Sequence, residues 1–288
     1  MEKKNNAKPS TRMLVLFCLI GVGLIVTAVI ELMAPDCELL AMLTLQDVLA
    51  FIAPAVAAMA LFYRRPLHAM CLDRAPSWLA IAVVVIFYIL SLPAMNWLVA
   101  VNEAISLPSW MSGIEQTMRT LEENAANTTQ DLLNFSTLPE LIVRLLVIGF
   151  MAGLSEEMLF RGAMLRTMQD SRLGLHAVVW ITAIIFSALH LQFFGFVPRM
   201  LLGVWLGYLL VWTRSLWVPI IAHTLNNSNV VLLKYLANKG EVSAEFGDNL
   251  GIPADGAFPW LASLSLLASV ALAVWAHRHY THSAAATD

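Results

Sequence analysis

Long apolar runs, separated by short polar breaks, dominate the sequence. They cover residues 13–33, 44–62, 78–99, 138–160, 174–194, 198–213, 216–236 and 258–276. A bilayer core of about 30 Å is crossed by roughly 20 apolar residues in a helix, so most of these runs have the length of a membrane span. The pattern predicts an all-α fold, a polytopic transmembrane helical bundle of about eight spans.

Basic residues concentrate on one side of this predicted bundle. With a cytoplasmic N-terminus, the cytoplasmic side holds 12 of the 17 lysines and arginines. These are Lys3, Lys4, Lys8, Arg12, Arg64, Arg65, Arg74, Arg161, Arg166, Arg172, Arg214 and Arg278. Cytoplasmic loops of membrane proteins carry such an excess of positive charge. The bias therefore predicts that both termini are cytoplasmic.

Composition agrees with a protein dissolved in lipid. Hydrophobic residues make up 59% of the chain and charged residues 13%, with a net charge of −3. Soluble domains carry roughly 45–50% apolar and about 25% charged residues. The basic residues form no single stripe, so no nucleic-acid partner is expected.

The predicted spans form one domain with three parts. Residues 1–137 hold the first three spans and a long external loop, and we expect them to serve access and scaffolding. Residues 138–276 hold a helical core with polar groups inside its spans, and residues 277–288 form a cytoplasmic tail. Within the long loop, residues 109–124 are predicted either as a surface helix or as a solvated loop.

Three groups of polar residues lie inside spans of the second half of the chain. Ionisable residues in hydrocarbon are costly, so each group is a functional-site hypothesis. The first is Glu156-Glu157 with Arg161 on the fourth span. Adjacent carboxylates point about 100° apart on a helix, so they serve different roles. Glu157 and Arg161, at i and i+4, are predicted to form an ion pair that leaves Glu156 facing a cavity.

The other two groups lie on the fifth and seventh spans. Phe186 and His190 share one face of the fifth span, and His223 and Asn227 share one face of the seventh. A lone membrane histidine is more often a helix-to-helix hydrogen-bonding group than a catalyst. An imidazole beside an amide, however, can donate two hydrogen bonds to one oxyanion.

Together the groups supply one free carboxylate, two imidazoles and an amide, which suit hydrolysis by an activated water. Glu156 is the candidate general base with His190 assisting, and His223 and Asn227 are the candidate oxyanion donors. The same carboxylate and imidazoles could instead hold a zinc ion with one open position. The residues alone leave both mechanisms open. Motifs of enzymes with a serine nucleophile are missing from the sequence.

The three groups, in this order, resemble the CPBP family of CAAX-processing and bacteriocin-processing membrane proteases. The matching motifs are Glu156-Glu157-x-x-x-Arg161, Phe186-x-x-x-His190 and His223-x-x-x-Asn227, which cover about a quarter of the chain. The resemblance implies an intramembrane endopeptidase that hydrolyses peptide bonds of a hydrophobic or membrane-associated peptide or protein.

By this resemblance, Glu156 is the water-activating base and His190 assists it. His223 and Asn227 form the oxyanion hole. Supporting positions are Glu157, Arg161 and Phe186. No cofactor is required on the favoured mechanism, and zinc held by Glu156, His190 and His223 is the alternative.

Two other functions are consistent with the sequence. One is a catalytically silent immunity or scaffold protein of the same family, and the less favoured one is a small-solute transporter. Short loops favour a bacterial cell membrane, where peptide maturation, bacteriocin processing, self-immunity and protein turnover are all compatible roles. The expected partners are a hydrophobic substrate and the lipid bilayer.

Overall fold

The computed structural model describes residues 3–4, 6–243, 247, 249–253 and 257–285. Nine helices of eight or more residues account for most of them. They are α1 (Pro9–Met33), α2 (Leu39–Phe62), α3 (Trp78–Glu103), α4 (Ser112–Leu132), α5 (Leu138–Met168), α6 (Leu175–Ala188), α7 (Phe196–Thr213), α8 (Trp217–Asn238) and α9 (Trp260–Ala285). Short helical turns lie at Pro66–Ala69, Ser109–Met111 and Phe193–Gly195. The predicted all-α helical bundle is confirmed, since the described residues contain no β-strand.

Each of the eight predicted spans coincides with a helix. Six helices of the described chain are long and apolar enough to cross a membrane by length and composition: α1, α2, α3, α5, α7 with the turn before it, and α9. Helix α6 is shorter, at 14 residues. Helix α8 has 22 residues but carries the polar run His223–Asn229, which lowers its hydropathy. The number of spans and the side of the termini stay predictions.

Two helices contain π-helical segments. In α2, residues Asp47–Ile52 are π-helical. In α5, Leu145–Met151 and Met158–Leu165 are π-helical and flank the α-helical stretch Ala152–Glu157. A π-helical turn adds a residue to the helical repeat and is frequent at functional sites. The pair of glutamates therefore lies between two such segments.

The described residues divide into two units. The first unit comprises residues 1–77, 137–182 and 206–232. Its apolar core includes Met164, Leu165, Val178, Val179, Leu206 and Leu209, all of them buried. Helix α5 begins with a capping box, in which Thr137 and Glu140 exchange side-chain and backbone hydrogen bonds. Such a box satisfies amide groups that a helix start leaves without partners.

The second unit comprises residues 78–136, 183–205 and 233–288. In it α3 packs on α9, and Ser265 of α9 enters the hydrogen-bond ladder of α3 beside Pro93. The Ser265 hydroxyl accepts from Ala94 N at 3.1 Å and donates to the Leu90 carbonyl. Proline disturbs the backbone hydrogen bonds of the helix around it. The inserted Ser265 hydroxyl provides hydrogen-bond partners for Ala94 N and the Leu90 carbonyl.

The long loop and the tail both contain helix. Helix α4 begins three residues after the start of the segment 109–124 and continues to Leu132. Helix α9 continues to Ala285 through the segment predicted as a tail, and residues 286–288 lie outside the described residues. The three-part division at residues 137 and 276 stays a prediction.

Candidate active site

Glu157 is the centre of a buried polar cluster in the first unit. Its side chain is fully buried, as is that of Arg161. Arg161 Nη1 donates to Glu157 Oε1 at 2.6 Å, so the predicted i, i+4 ion pair is confirmed. His223 Nδ1 of α8 approaches the same oxygen at 2.9 Å. The carboxylate thus orients the imidazole from behind while the guanidinium neutralises the carboxylate.

Glu156 faces the other nitrogen of the same imidazole. Its Oε2 lies 3.7 Å from His223 Nε2, and the Glu156 side chain is 17% exposed. Glu156 Oε2 is buried and has no hydrogen-bond partner among the described residues. A separation of 3.7 Å is too long for a direct hydrogen bond between the two atoms. The two neighbouring glutamates therefore face different ring nitrogens of His223, Glu157 facing Nδ1 and Glu156 facing Nε2.

Close packing between α5 and α8 sets this geometry. A Cβ placed on Gly149 would lie 2.5 Å from Ser228 Oγ, and one on Gly153 would lie 3.0 Å from Thr224 Oγ1. These two glycines are four positions apart in the sequence and so lie on one face of α5. Small residues at this spacing let membrane helices approach closely. The contact places the backbone of α5 against the turn of α8 that carries His223.

Asn227 lies one turn after His223 and also contacts α5. Its Nδ2 donates to the Ile148 carbonyl at 3.3 Å, within the first π-helical segment of α5. Its Oδ1 accepts from Asn226 Nδ2 at 3.2 Å. An amide nitrogen carries two hydrogens, so Nδ2 can donate a second hydrogen bond. Of the predicted site residues, the first unit brings together Glu156, Glu157, Arg161, His223 and Asn227.

Phe186 and His190 belong to the second unit. The prediction that His190 lies within a helix is wrong, because α6 ends at Ala188. Leu191 adopts a left-handed φ of 55° just after it. His190 Nδ1 contacts the Phe186 carbonyl at 2.8 Å, and the two rings meet edge to face at 5.0 Å. The last carbonyls of a helix lack intrahelical partners, so the imidazole caps this one.

Asp47 is a further acidic residue of the first unit that the hydrophobic pattern alone did not single out. It begins the π-helical segment of α2 and is 7% exposed. Ser155 Oγ, next to Glu156 in the chain, donates to Asp47 Oδ1 at 2.7 Å. The sequence did carry a signal, since an acid inside the predicted span 44–62 is unusual by itself.

The cluster offers few donors for a metal ion. Glu157 Oε1 accepts from Arg161 and His223, and Glu156 Oε2 and His223 Nε2 face each other in the first unit. In the described part of the chain, no group of three His, Cys, Asp or Glu residues is arranged to hold a metal ion. Protein zinc sites use at least three such ligands, and His190, the third residue of the zinc alternative, belongs to the second unit. The zinc alternative stays a prediction.

The comparison with protein families agrees with the motifs. Residues 138–229 match the family described as type II CAAX prenyl endopeptidase Rce1-like. This match confirms the resemblance to the CPBP family for that segment, which is a protease family. The segment contains all three motifs and the whole of helix α5. The apolar helices and this match together indicate an integral, multi-pass membrane protein.

One curated relative is similar over part of its length. Over 91 residues the chain is 33% identical to the protein described as uncharacterized protein YpbD of Bacillus subtilis (strain 168). The match spans 30% of this chain and 41% of that protein. No solved structure matches the chain.

Proposed function

We propose that this protein is an intramembrane endopeptidase that hydrolyses peptide bonds with a water activated by Glu156. The observation that carries the proposal is the pair of atoms Glu156 Oε2 and His223 Nε2, which face each other at 3.7 Å in a buried cluster. A carboxylate with an unpartnered oxygen is available as a general base, and a buried site strengthens its interactions.

The steps follow from the hydrogen-bonding capacity of the side chains. Glu156 takes a proton from the water as its oxygen attacks the scissile carbonyl carbon. The carbonyl oxygen becomes an oxyanion, which accepts hydrogen bonds from His223 Nε2 and Asn227 Nδ2. Glu156 then returns the proton to the leaving amine as the carbon–nitrogen bond breaks. His190 is proposed to assist Glu156, on the strength of its motif.

His223 has to be protonated to act in this way. Its Nδ1 meets the carboxylate Oε1 of Glu157 at 2.9 Å and therefore donates there. A neutral imidazole has one N–H group, whereas the imidazolium has two. Donation from Nε2 to an oxyanion thus requires the charged ring, and Glu157 supplies the countercharge. Arg161 Nη1 donates to the same oxygen of Glu157 at 2.6 Å.

The proposed substrate is a hydrophobic or membrane-associated peptide or protein, and the proposed location is a bacterial cell membrane. A site embedded in the bilayer fits a substrate with apolar side chains, because polar side chains would cost free energy when they are buried there. Peptide maturation, bacteriocin processing or self-immunity, and membrane-protein turnover are roles of this kind.

The test compares new protein termini in membranes of bacteria that produce the wild type, Glu156→Gln or Glu123→Gln. Glu123 is an exposed residue of α4 and provides a matched control for loss of one carboxylate. We expect cleavage products with the wild type and with the control but none with Glu156→Gln. With a synthetic peptide that spans a cleavage site, kcat should fall by about 10²–10⁴-fold in Glu156→Gln.

Two outcomes would contradict the proposal. Equal cleavage by Glu156→Gln would exclude Glu156 as the base. If no product depends on the wild type in these membranes, the silent immunity or scaffold protein becomes the better description. Two further variants are measured with the same peptide. His223→Ala tests the oxyanion role, because removal of an oxyanion donor costs about 10²–10³-fold in kcat. His190→Ala tests the assisting role.

A further inference from the structure

A basic cavity of about 410 Å³ lies in the first unit, at the ends of its helices. Three arginines line it: Arg74, Arg166 and Arg214. Leu175, Leu210 and Val211 form an apolar part of its wall. The cavity has the size of a small-molecule site, and its lining combines positive charge with an aliphatic surface.

The cavity lies at the level where spans end. Arg166 is two residues before the last position of α5, and Arg214 directly follows α7. Leu175 is the first residue of α6, and Arg74 lies in the connection between α2 and α3. All three arginines belong to the side that the charge bias predicts as cytoplasmic. Cytoplasmic leaflets carry anionic lipids, and their headgroups meet helix ends at this level.

Two of the lining residues have strained backbone. Cys71 has a φ of 62° and Arg214 a φ of 54°, in the left-handed region that residues other than glycine seldom adopt. Among the described non-glycine residues, only one other position, Leu191, has a positive φ, and it lies in the second unit. Such strain persists where the surrounding structure holds it, and it concentrates at ligand-binding sites.

Three hydrogen bonds hold these strained connections together. Leu216 N donates to the Cys71 carbonyl at 2.9 Å. Trp217 Nε1 donates to the Leu72 carbonyl at 2.8 Å, and Ser215 Oγ donates to the Arg74 carbonyl at 2.6 Å. The connection after α2 is thereby fixed to the start of α8. The positions of Arg74 and Arg214 are set by the fold rather than by flexible loops.

The arginines differ in their protein contacts. Arg166 is tied to the wall, because its Nε donates to the Ala69 carbonyl at 2.9 Å and its Nη1 to Gln169 Oε1 at 2.6 Å. Arg74 and Arg214 are exposed. The nearby acid Asp73 already pairs with His68 Nδ1 at 2.6 Å. The guanidinium groups of Arg74 and Arg214 are therefore accessible to an anion.

We propose that this cavity binds the phosphoryl headgroup of an anionic phospholipid, with the arginines around the phosphate and an acyl chain along the aliphatic wall. Guanidinium groups bind phosphate oxygens through paired hydrogen bonds. The aliphatic wall favours an amphiphile over free phosphate, because a hydrated ion gains nothing from Leu210 or Val211.

The test measures lipid binding by native mass spectrometry of the full chain in neutral detergent. The probes are short-chain phosphatidylglycerol, phosphatidylcholine with the same chains, and inorganic phosphate as a competitor. The variant Arg74→Gln/Arg214→Gln removes two cavity charges and keeps the anchored Arg166. The variant Arg172→Gln/Arg278→Gln removes two exposed charges elsewhere and is the matched control.

We expect the wild type and the control to bind phosphatidylglycerol in preference to phosphatidylcholine. The Kd for phosphatidylglycerol should rise by about 30-fold in the cavity variant, because each arginine near anionic headgroups contributes about 1 kcal/mol. Circular dichroism verifies that the variant is folded. Equal binding by the wild type and the cavity variant would overturn the proposal. If an equal concentration of inorganic phosphate displaces the lipid, the proposal is wrong and free phosphate is the ligand of the cavity.

Discussion

Two clusters of the first unit pair an arginine with a carboxylate, and they differ in how many hydrogen-bonding atoms remain unused. At the N-terminal cluster, Asp170 Oδ2 accepts from Arg12 at 2.6 Å and from Tyr63 at 3.0 Å, and it pairs with Lys3 at 3.0 Å. At the candidate active site, Glu157 Oε1 has two donors, but Glu157 Oε2 and Glu156 Oε2 are buried and have no hydrogen-bond partner among the described residues.

We infer that the first cluster is structural and that the second is the proposed reactive one. The Asp170 cluster joins the N-terminal segment, the end of α2 and the connection after α5, and all donors converge on one oxygen. The glutamate cluster is buried more deeply, with Glu157 fully buried against 15% exposure for Asp170. Unsatisfied buried polar atoms are costly, and a catalytic role is one of the reasons for which proteins retain them. We use four substitutions to test this contrast.

The largest effect is expected for Arg161→Met. Removal of the guanidinium leaves the Glu157 carboxylate buried with one donor fewer, and an uncompensated buried charge destabilises a protein by about 3–5 kcal/mol. Thermal and chemical denaturation in detergent measure this loss. The double variant Glu157→Gln/Arg161→Met removes the charge as well and should recover part of the stability. A double variant no more stable than Arg161→Met would show that packing, rather than charge, explains the loss.

Asp170→Asn should cost less, about 1.5–3 kcal/mol at neutral pH, the value of hydrogen bonds to a charged group. Burial alone would raise the pKa of Asp170, but hydrogen bonds from Arg12, Lys3 and Tyr63 outweigh it and lower that pKa. A lowered pKa stabilises the fold above the unfolded value, near pH 4, and the stabilisation disappears as the pH falls through the folded value.

Denaturation between pH 7 and pH 3 tests the Asp170 cluster. The wild type should lose stability in acid more steeply than Asp170→Asn, which lacks this titration. Asp131→Asn, an exposed aspartate of α4, serves as the control and should follow the wild type. Parallel curves for the wild type and Asp170→Asn would show that Asp170 contributes no titration-dependent stability.

The sequence predicted those features that depend on neighbours along the chain. Each predicted span coincides with a helix because apolar runs of this length are a local signal, and the Glu157–Arg161 pair follows from helical spacing. The end of α6 before His190 depends on the left-handed turn at Leu191, which no residue type there required. The contact of Ser155 with Asp47 joins residues 108 positions apart, and the local pattern holds no information on such contacts.

Gly153→Ala tests the close approach of α5 and α8. The added Cβ would lie 3.0 Å from Thr224 Oγ1 and 3.1 Å from Thr224 N, so Thr224 has to give way by a few tenths of an ångström. Overpacking of this kind costs about 1–3 kcal/mol. The shift should also lower kcat, because Glu156 and His223 lie on the two helices. Gly21→Ala in α1, with no atom within 4 Å of the new Cβ, is the control. An unchanged kcat would show that the spacing of the helices tolerates this change.

The smallest effect is expected for Asp47→Ala, because its hydrogen-bond donor has a second acceptor. Ser155 Oγ lies 3.0 Å from the Ala152 carbonyl as well as 2.7 Å from Asp47 Oδ1. The hydroxyl therefore keeps a partner when the carboxyl is removed, and the net loss should be about 1 kcal/mol, the usual contribution of one hydrogen bond. Asp47→Asn keeps the acceptor and should lose less. If Asp47→Asn instead abolishes cleavage while the fold remains stable, the charge of Asp47 belongs to the reactive cluster together with that of Glu156.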